Sequence, residues 1–207
     1  SPTSCGQCFY CAEKRHPTKC PQRRAYGIGY RCDQPPHFLG GYAAVHYLRP
    51  RTNIFKLPDD LPTESVIGAG CALITAIHGV ERTGIAWRDS VVVQGAGPVG
   101  ISARAVAKSA GAAEVIVIGG PKHRLDMARR FGADHTIDLD EVRDAAARID
   151  RVRQLTGGYG ADVVLECVGI PAAVPEGMEM CRDGGKYLVL GHYCDAGPVS
   201  FNPQVIT

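Results

Sequence analysis

The chain has 207 residues, 45% of them hydrophobic, and its 23 Lys and Arg nearly balance its 21 Asp and Glu. That length suits one large domain or one and a half, with enough apolar material for a core. The near-neutral charge argues against nucleic acid or an acidic membrane surface as a partner. We expect neither a signal peptide nor a membrane-spanning segment, because no apolar stretch is long enough.

Four cysteines lie close together early in the chain, in the spacing Cys5-x2-Cys8-x2-Cys11-x8-Cys20. Thiolates at this spacing can converge on one tetrahedral zinc ion. The alternatives are disulfides or four unrelated thiols. Five further cysteines occur singly, and the odd total of nine fits a reducing compartment better than a disulfide framework. The residues therefore favour a structural zinc site, and we expect a cytoplasmic location.

The segment from residue 1 to about residue 57 is rich in Cys, Pro and turn residues and has little helical periodicity. Within it, the loosely alternating stretch 40–48 predicts a strand of a β-rich domain. The proline-containing stretch 58–62 marks a connection. Thr63 is then predicted to be the N-cap of a helix that runs toward Cys71.

From residue 90 onward, short apolar runs alternate with helical patterns. Runs without polar alternation are typical of strands buried on both faces of a parallel sheet. The predicted strands are 91–93, 114–118, 135–137, 162–166 and 186–190. Crossover helices are predicted between them, over 99–110, 122–131, 141–155 and 171–182. This order predicts an α/β fold, a doubly wound parallel sheet.

A glycine-rich motif, Gly95-Ala96-Gly97-Pro98-Val99-Gly100, follows the first predicted strand. Alone, G-x-G-x-x-G is a weak signal, and the alternative is a plain turn. Its position between a buried strand and a helix predicts a dinucleotide site, with Pro98 in the first helical turn. Gly95 permits the sharp turn, Gly97 lets the pyrophosphate approach the backbone, and Gly100 lets helix and strand pack closely. The helix N-terminus offers N–H groups to the phosphates.

The residue that usually binds the ribose is absent. Dinucleotide domains specific for NAD place Asp or Glu at the end of the second strand, where this chain has Gly119. Lys122, His123 and Arg124 follow shortly after. These side chains either bind a 2′-phosphate, which favours NADP, or form the solvated start of a helix. The sequence therefore leaves the choice between NAD and NADP open.

The order of these features resembles the zinc-containing medium-chain alcohol dehydrogenases, and the resemblance covers essentially the whole chain. It implies part of a GroES-like catalytic domain followed by a Rossmann domain that binds NAD(P). We expect residues 1–70 to belong to the first domain, with a four-cysteine lobe at about 1–25 that holds the structural zinc. Residues 71–207 are expected to form a Rossmann domain that is incomplete at its C-terminal end.

The resemblance also implies roles for individual residues. Cys71 matches a ligand of the family's catalytic zinc, and the alternative is a buried small hydrophobe. Thr75, one helical turn later, matches a residue that contacts the nicotinamide side of the cofactor. Two segments match coenzyme-lining positions, Val168-Gly169 and Leu190-Gly191-His192. Glu166, just before the first of them, either hydrogen-bonds near the cofactor or is structural.

Two further catalytic-zinc ligands of the family, a Cys and the His of a Gly-His-Glu motif, would precede the four-cysteine lobe and do not occur in this sequence. We therefore expect a fragment that lacks both ends and is inactive alone. The resemblance implies that the intact protein is a homo-oligomer that transfers hydride between a small-molecule alcohol and NAD(P)+, with a ketone or aldehyde as the other product. Two interpretations stay open, a non-catalytic module that binds zinc and nucleotide and a zinc-free reductase of the same superfamily. The four-cysteine lobe and Cys71 argue against the second.

Overall fold

The structure is a computed structural model that describes residues 2–50 and 52–206. The chain divides into two compact units, Ser1–Leu61 and Pro62–Thr207. The sequence placed the domain boundary between residues 70 and 71, nine residues after the point at which the two units separate.

The first unit contains only short elements in its described part. Strands β1 (Pro2–Thr3) and β2 (Arg24–Ala25) pair antiparallel. Helix α1 (Phe9–Ala12) and a 3-10 turn (Pro17–Lys19) lie between them. The predicted strand over 40–48 is wrong, because these residues form bends and loop without strand pairing.

The second unit begins with a nearly continuous helical segment. It consists of α2 (Thr63–Ile67), a π-helical turn (Ala69–Leu73) and α3 (Ile74–Thr83). The prediction that Thr63 caps α2 is wrong by one position. Pro62 is the N-cap, with extended backbone (φ −57°, ψ 134°), and Thr63 is already helical.

Five parallel strands form the sheet of the second unit, in the order β5-β4-β3-β6-β7. Their bounds are β3 Ser90–Gln94, β4 Glu114–Gly119, β5 His135–Asp138, β6 Ala161–Glu166 and β7 Cys181–Val189. The crossover helices are α4 Pro98–Ser109, α5 Lys122–Arg130, α6 Ala145–Leu155 and α7 Ala173–Met180. The predicted doubly wound α/β fold is confirmed.

Strand β3 shows why the apolar runs are continuous. Val91 and Val93 belong to the apolar cluster that contains α3, α4 and α5 residues, whereas Val92 belongs to a second cluster with α6 and α7 residues. All three valines are fully buried. Successive side chains point to opposite faces of a strand, so a strand covered on both faces needs apolar residues at every position.

Asp162 joins the amino ends of β3, β6 and β7. Its Oδ2 accepts hydrogen bonds from the N–H and the hydroxyl of Ser90 at 2.8 and 2.7 Å, and its Oδ1 accepts one from Nε of Arg182 at 2.6 Å. Burial raises the pKa of Asp162, but the Ser90 hydrogen bonds and the Arg182 cation more than offset that effect, so the pKa lies below its usual range.

We expect Asp162→Asn to lower the free energy of unfolding by about 2 kcal/mol at pH 7, because hydrogen bonds to a charged acceptor are lost. A carboxylate with a lowered native pKa stabilises fully above its unfolded pKa of about 3.9. That contribution is lost as the pH falls through the native pKa. The difference in free energy of unfolding between the wild type and Asp162→Asn should therefore narrow in acid. Urea unfolding at pH 7 and pH 3 measures both effects, and equal stability at pH 7 would contradict them.

Candidate functional site

The four predicted zinc ligands lie together in the first unit. The sulfurs of Cys5, Cys8, Cys11 and Cys20 all lie within 4.8 Å of one another. Sγ of Cys5 is 3.6 Å from Sγ of Cys20 and 4.0 Å from Sγ of Cys11. Thiolates bound tetrahedrally at about 2.3 Å from a zinc ion are about 3.8 Å apart, whereas a disulfide needs about 2.05 Å. The donor set and its spacing therefore fit one zinc ion.

The backbone of this loop supports thiolate ligands. The main-chain groups of Gln7 and Cys8 hydrogen-bond the Cys5 sulfur and lower the pKa of Cys5 to about 6. The main chain of Cys11 acts in the same direction on Cys8, but desolvation and the three neighbouring thiols raise the pKa of Cys8 to about 11. Thiolates this close repel one another, and a divalent cation removes that conflict.

The glycine-rich turn connects β3 to α4. Gly97 is the N-cap of α4, and Pro98 and Val99 are its first two residues. Gly95 has a φ of +111°, which favours glycine. A Cβ on Gly100 would overlap the carbonyl oxygen of Gly95, so helix and turn pack backbone against backbone. A Cβ on Gly97 would meet no atom within 4 Å, which leaves the outer side of the turn open to an approaching phosphate.

Gly119, the last residue of β4, lies against this turn. A Cβ on Gly119 would come within 2.8 Å of the backbone nitrogen of Ala96 and 2.9 Å of its Cβ. The ribose-binding acid of related domains therefore has no room here. A side chain at position 119 would require the turn at Ala96 to shift.

Gly119→Ala should lower the free energy of unfolding by about 1–3 kcal/mol, the usual cost of overpacking, since backbone atoms cannot move aside cheaply. Gly119→Asp should be at least as destabilising and should not increase affinity for NAD+. The matched control is Gly120→Ala, because a Cβ on Gly120 would meet nothing within 4 Å. Thermal unfolding and NAD+ titration test this, and a Gly119→Asp variant with tighter NAD+ binding would contradict it.

The two predicted cationic side chains of the cofactor site differ in their surroundings. Both Lys122 and Arg124 are exposed in the first turn of α5. Nζ of Lys122 pairs with the Asp126 carboxylate at 3.0 Å, and this hydrogen bond lowers the pKa of Asp126. Arg124 lines a cleft of about 570 Å³ that also borders Pro98 and Ile101 of α4. Arg124 is therefore the cation that faces the space beside the glycine-rich turn.

The two predicted coenzyme-lining segments, Val168-Gly169 and Leu190-Gly191-His192, follow the carboxyl ends of β6 and β7. They lie side by side, because a Cβ on Gly169 would meet the carbonyl oxygen of His192 at 2.6 Å and its nitrogen at 2.9 Å. Gly169 has a φ of +77°. Ligands of doubly wound folds bind at this edge of the sheet.

Cys71 is exposed in the π-helical turn, and Thr75 is half-buried near the start of α3. π-helical turns that interrupt an α-helix are frequent at functional sites. Within residues 2–50 and 52–206, the four cysteines of the lobe are the only group of three or more Cys, His, Asp or Glu that could hold a metal. The described part of the chain therefore brings no further ligand set to Cys71.

Comparison with known proteins places the chain in a family. Residues 98–207 match the zinc-binding dehydrogenases, which is more than half of the chain. The chain belongs to this family. A curated relative, the 5-exo-hydroxycamphor dehydrogenase of Pseudomonas putida, is 39% identical over 176 residues, which make up 84% of this zinc-binding dehydrogenase chain and 48% of the relative.

Solved structures agree with this assignment. An alcohol dehydrogenase of Thermotoga maritima matches with a TM-score of 0.90 and 36% identity, over 98% of this chain and 55% of that one. A zinc-binding dehydrogenase described from Sinorhizobium meliloti, bound to NADP, matches with a TM-score of 0.78 and 29% identity, over 99% and 56%. The resemblance to zinc-containing medium-chain alcohol dehydrogenases is confirmed. The chain spans about half the length of the relatives that it matches.

Two features of this zinc-binding dehydrogenase were not apparent from the sequence. The packing of Gly119 on Ala96 and the different environments of Lys122 and Arg124 depend on contacts between separate elements, which spacing does not reveal. The presence of Asp126 four residues after Lys122 was the one available signal, since charges at i,i+4 of a helix pair. No helix in the described part of the chain has both the length and the apolar character that crossing a membrane requires.

Proposed function

We propose that the whole zinc-binding dehydrogenase transfers hydride between a small-molecule alcohol and NAD(P)+, with a ketone or aldehyde as the other product. The observation that carries this proposal is the glycine-rich turn, whose outer side is open at Gly97 while its inner side is closed by the packing of Gly100 on Gly95. When bound, the dinucleotide supplies the hydride acceptor and a catalytic zinc ion polarises the alcohol oxygen.

The residues of this chain would serve that reaction by binding and orientation. The N–H groups at the start of α4 hold the pyrophosphate, Thr75 contacts the nicotinamide side, and the two coenzyme-lining segments contact the dinucleotide. Cys71 contributes one thiolate to the catalytic zinc in the whole protein. Cys5, Cys8, Cys11 and Cys20 hold the structural zinc. Residues 1–70 and 71–207 correspond to the catalytic and Rossmann domains of such an enzyme.

A second proposal concerns these 207 residues alone. Because no group of three or more potential ligands among the described residues includes Cys71, this chain binds zinc and dinucleotide without turnover. The whole protein is a homo-oligomer with no nucleic-acid or membrane partner, and its thiolate ligands require a reducing compartment such as the cytoplasm. Activity on a panel of alcohols with both cofactors tests the whole protein, and its lack of any alcohol-dependent reduction of NAD(P)+ would refute the proposal.

We expect NADP+ to stabilise this chain at least as strongly as NAD+, because the acid that binds the ribose hydroxyls is absent and Arg124 faces the cleft beside the turn. Arg124→Ala should weaken NADP+ binding about tenfold, in the range of a lost charge-assisted contact to phosphate, and leave NAD+ binding nearly unchanged. Lys122→Ala is the control, since Asp126 already pairs with Lys122. Thermal-shift titrations compare them, and stabilisation by NAD+ only would contradict the prediction.

A further inference from the structure

Glu166 is a fully buried carboxylate at the last position of β6. Its Oε1 accepts hydrogen bonds from the N–H groups of Val168 and Gly169 at 2.6 and 2.7 Å. Its Oε2 accepts a hydrogen bond from the hydroxyl of Tyr193 at 2.9 Å. A buried charge with three donors is well satisfied, and charge-assisted bonds of this kind are stronger than neutral ones.

The main chain of Glu166 binds the second coenzyme-lining segment, Leu190-Gly191-His192. Its carbonyl oxygen accepts hydrogen bonds from the N–H groups of Leu190 and Gly191 at 2.7 and 3.0 Å. The side chain also packs tightly there, because a Cβ on Gly191 would come within 2.5 Å of Oε2 of Glu166. Glu166 therefore contacts both segments. Its Oε1 binds the first segment, and its carbonyl oxygen binds the second. Its Oε2 also binds Tyr193, the residue directly after the second segment.

The surroundings of Tyr193 keep its hydroxyl a donor. Desolvation and the hydrogen bond to Glu166 raise the pKa of Tyr193 well above its usual value, so the phenol stays protonated. Tyr193 lies directly after His192, and its bond to Glu166 connects the chain beyond β7 to the end of β6. Without the carboxylate, the N–H groups of Val168 and Gly169 would lose their acceptor at a partly buried position, which lowers stability.

We propose that Glu166 is a positioning residue, which holds the 168–169 and 190–193 segments in the one conformation that receives the dinucleotide. This inference rests on the proposed function for its coenzyme role. The ordering of the two segments by Glu166 is a property of the chain itself and is measurable without coenzyme. Glu166 touches no reacting atom in this scheme and acts through the backbone of the two segments.

Three substitutions separate geometry from charge. Glu166→Gln keeps an oxygen that accepts from Val168 and Gly169 and places an amide N–H₂ toward the Tyr193 oxygen, which can accept a hydrogen bond. Glu166→Ala removes every side-chain contact. Tyr193→Phe removes only the hydrogen bond between the Tyr193 hydroxyl and Oε2 of Glu166. Asp162→Asn is the matched control, because Asp162 is a hydrogen-bonded carboxylate at the opposite end of the same strand.

The experiment measures amide hydrogen exchange and the dissociation constants of NAD+ and NADP+ for the 207-residue chain. Glu166→Ala should speed exchange in 168–169 and 190–193 at least tenfold and weaken dinucleotide binding at least tenfold. Glu166→Gln should stay within threefold of wild type, and Tyr193→Phe should speed exchange in 190–193 only. Asp162→Asn should leave both the exchange of these segments and the affinity unchanged.

The outcomes separate the two proposals. Dinucleotide binding by Glu166→Ala as tight as that of wild type would overturn the positioning role while leaving the proposed function in place. Equal losses in Asp162→Asn and Glu166→Ala would also overturn it, because general instability would then explain both. If Glu166→Ala does not fold, unchanged exchange in 190–193 of Tyr193→Phe overturns it instead. A wild-type chain that binds neither dinucleotide would refute the proposed function and the coenzyme role together.

Discussion

Removing zinc from the four-cysteine lobe will unfold residues 2–25 and leave the parallel sheet of the second unit intact. Among the described residues of the first unit, only Cys20 and Leu39 are buried, so this unit has almost no apolar core. Small units of this kind depend on cross-links or metals. Structural zinc contributes about 10–16 kcal/mol of binding free energy in small zinc-binding peptides. That contribution exceeds the stabilisation from any single contact that the lobe makes by itself.

Hydrogen exchange with and without a chelator measures this effect, together with the zinc released. Cys8→Ser should abolish zinc binding and expose the amides of residues 2–25, whereas Cys32→Ser should do neither. Cys32 is an exposed cysteine of the same unit that lies outside the four-sulfur cluster, so it controls for loss of a thiol. Unchanged exchange in the lobe after complete removal of zinc would contradict a structural role for the metal.

Gly97→Ala will weaken dinucleotide binding at least tenfold with little change in stability. The backbone of Gly97 is extended, at φ −79° and ψ −177°, so alanine fits without strain. The added methyl group would enter the open space outside the turn, where the pyrophosphate has to approach the backbone. The variant therefore separates ligand binding from folding.

Gly100→Ala is the contrasting variant, because its methyl group would overlap the carbonyl oxygen of Gly95. We expect it to lose about 3 kcal/mol of stability, at the upper end of overpacking costs. Isothermal titration with NAD+ and NADP+, with thermal unfolding of each variant, distinguishes the two. A Gly97→Ala chain that binds either dinucleotide as tightly as wild type would show that the turn is not the phosphate site.

The sheet was predictable from the sequence because its strands are determined locally. In β3, three successive valines can only be buried by covering both faces, and the same argument holds for β4 and β6. Strand β7 was predicted from residue 186 but begins at Cys181, because Cys181 pairs with Ala161 before the register shifts. The prediction of a strand over 40–48 was wrong because alternation alone does not supply a partner strand. Tyr42, in the middle of this stretch, is fully exposed.

The candidate site was predictable to a different extent. The spacing of four cysteines determines which sulfurs can meet, and the position of the glycine-rich motif between strand and helix determines its role. The choice between Lys122 and Arg124 depends on Asp126 and on the cleft beside α4. The contacts of Glu166 join two loops that are more than twenty residues apart, and no local pattern encodes them.

Native mass spectrometry of the chain with saturating dinucleotide tests the central claim most directly, because it counts metal and coenzyme on the same molecule. The structure predicts one zinc ion and one dinucleotide per chain, with zinc lost in Cys8→Ser and a lower dinucleotide occupancy in Gly97→Ala once the dinucleotide concentration is brought below saturation. A chain that carries no zinc, or that carries zinc but no dinucleotide, would contradict the assignment of these 207 residues to a zinc lobe and a coenzyme-binding sheet.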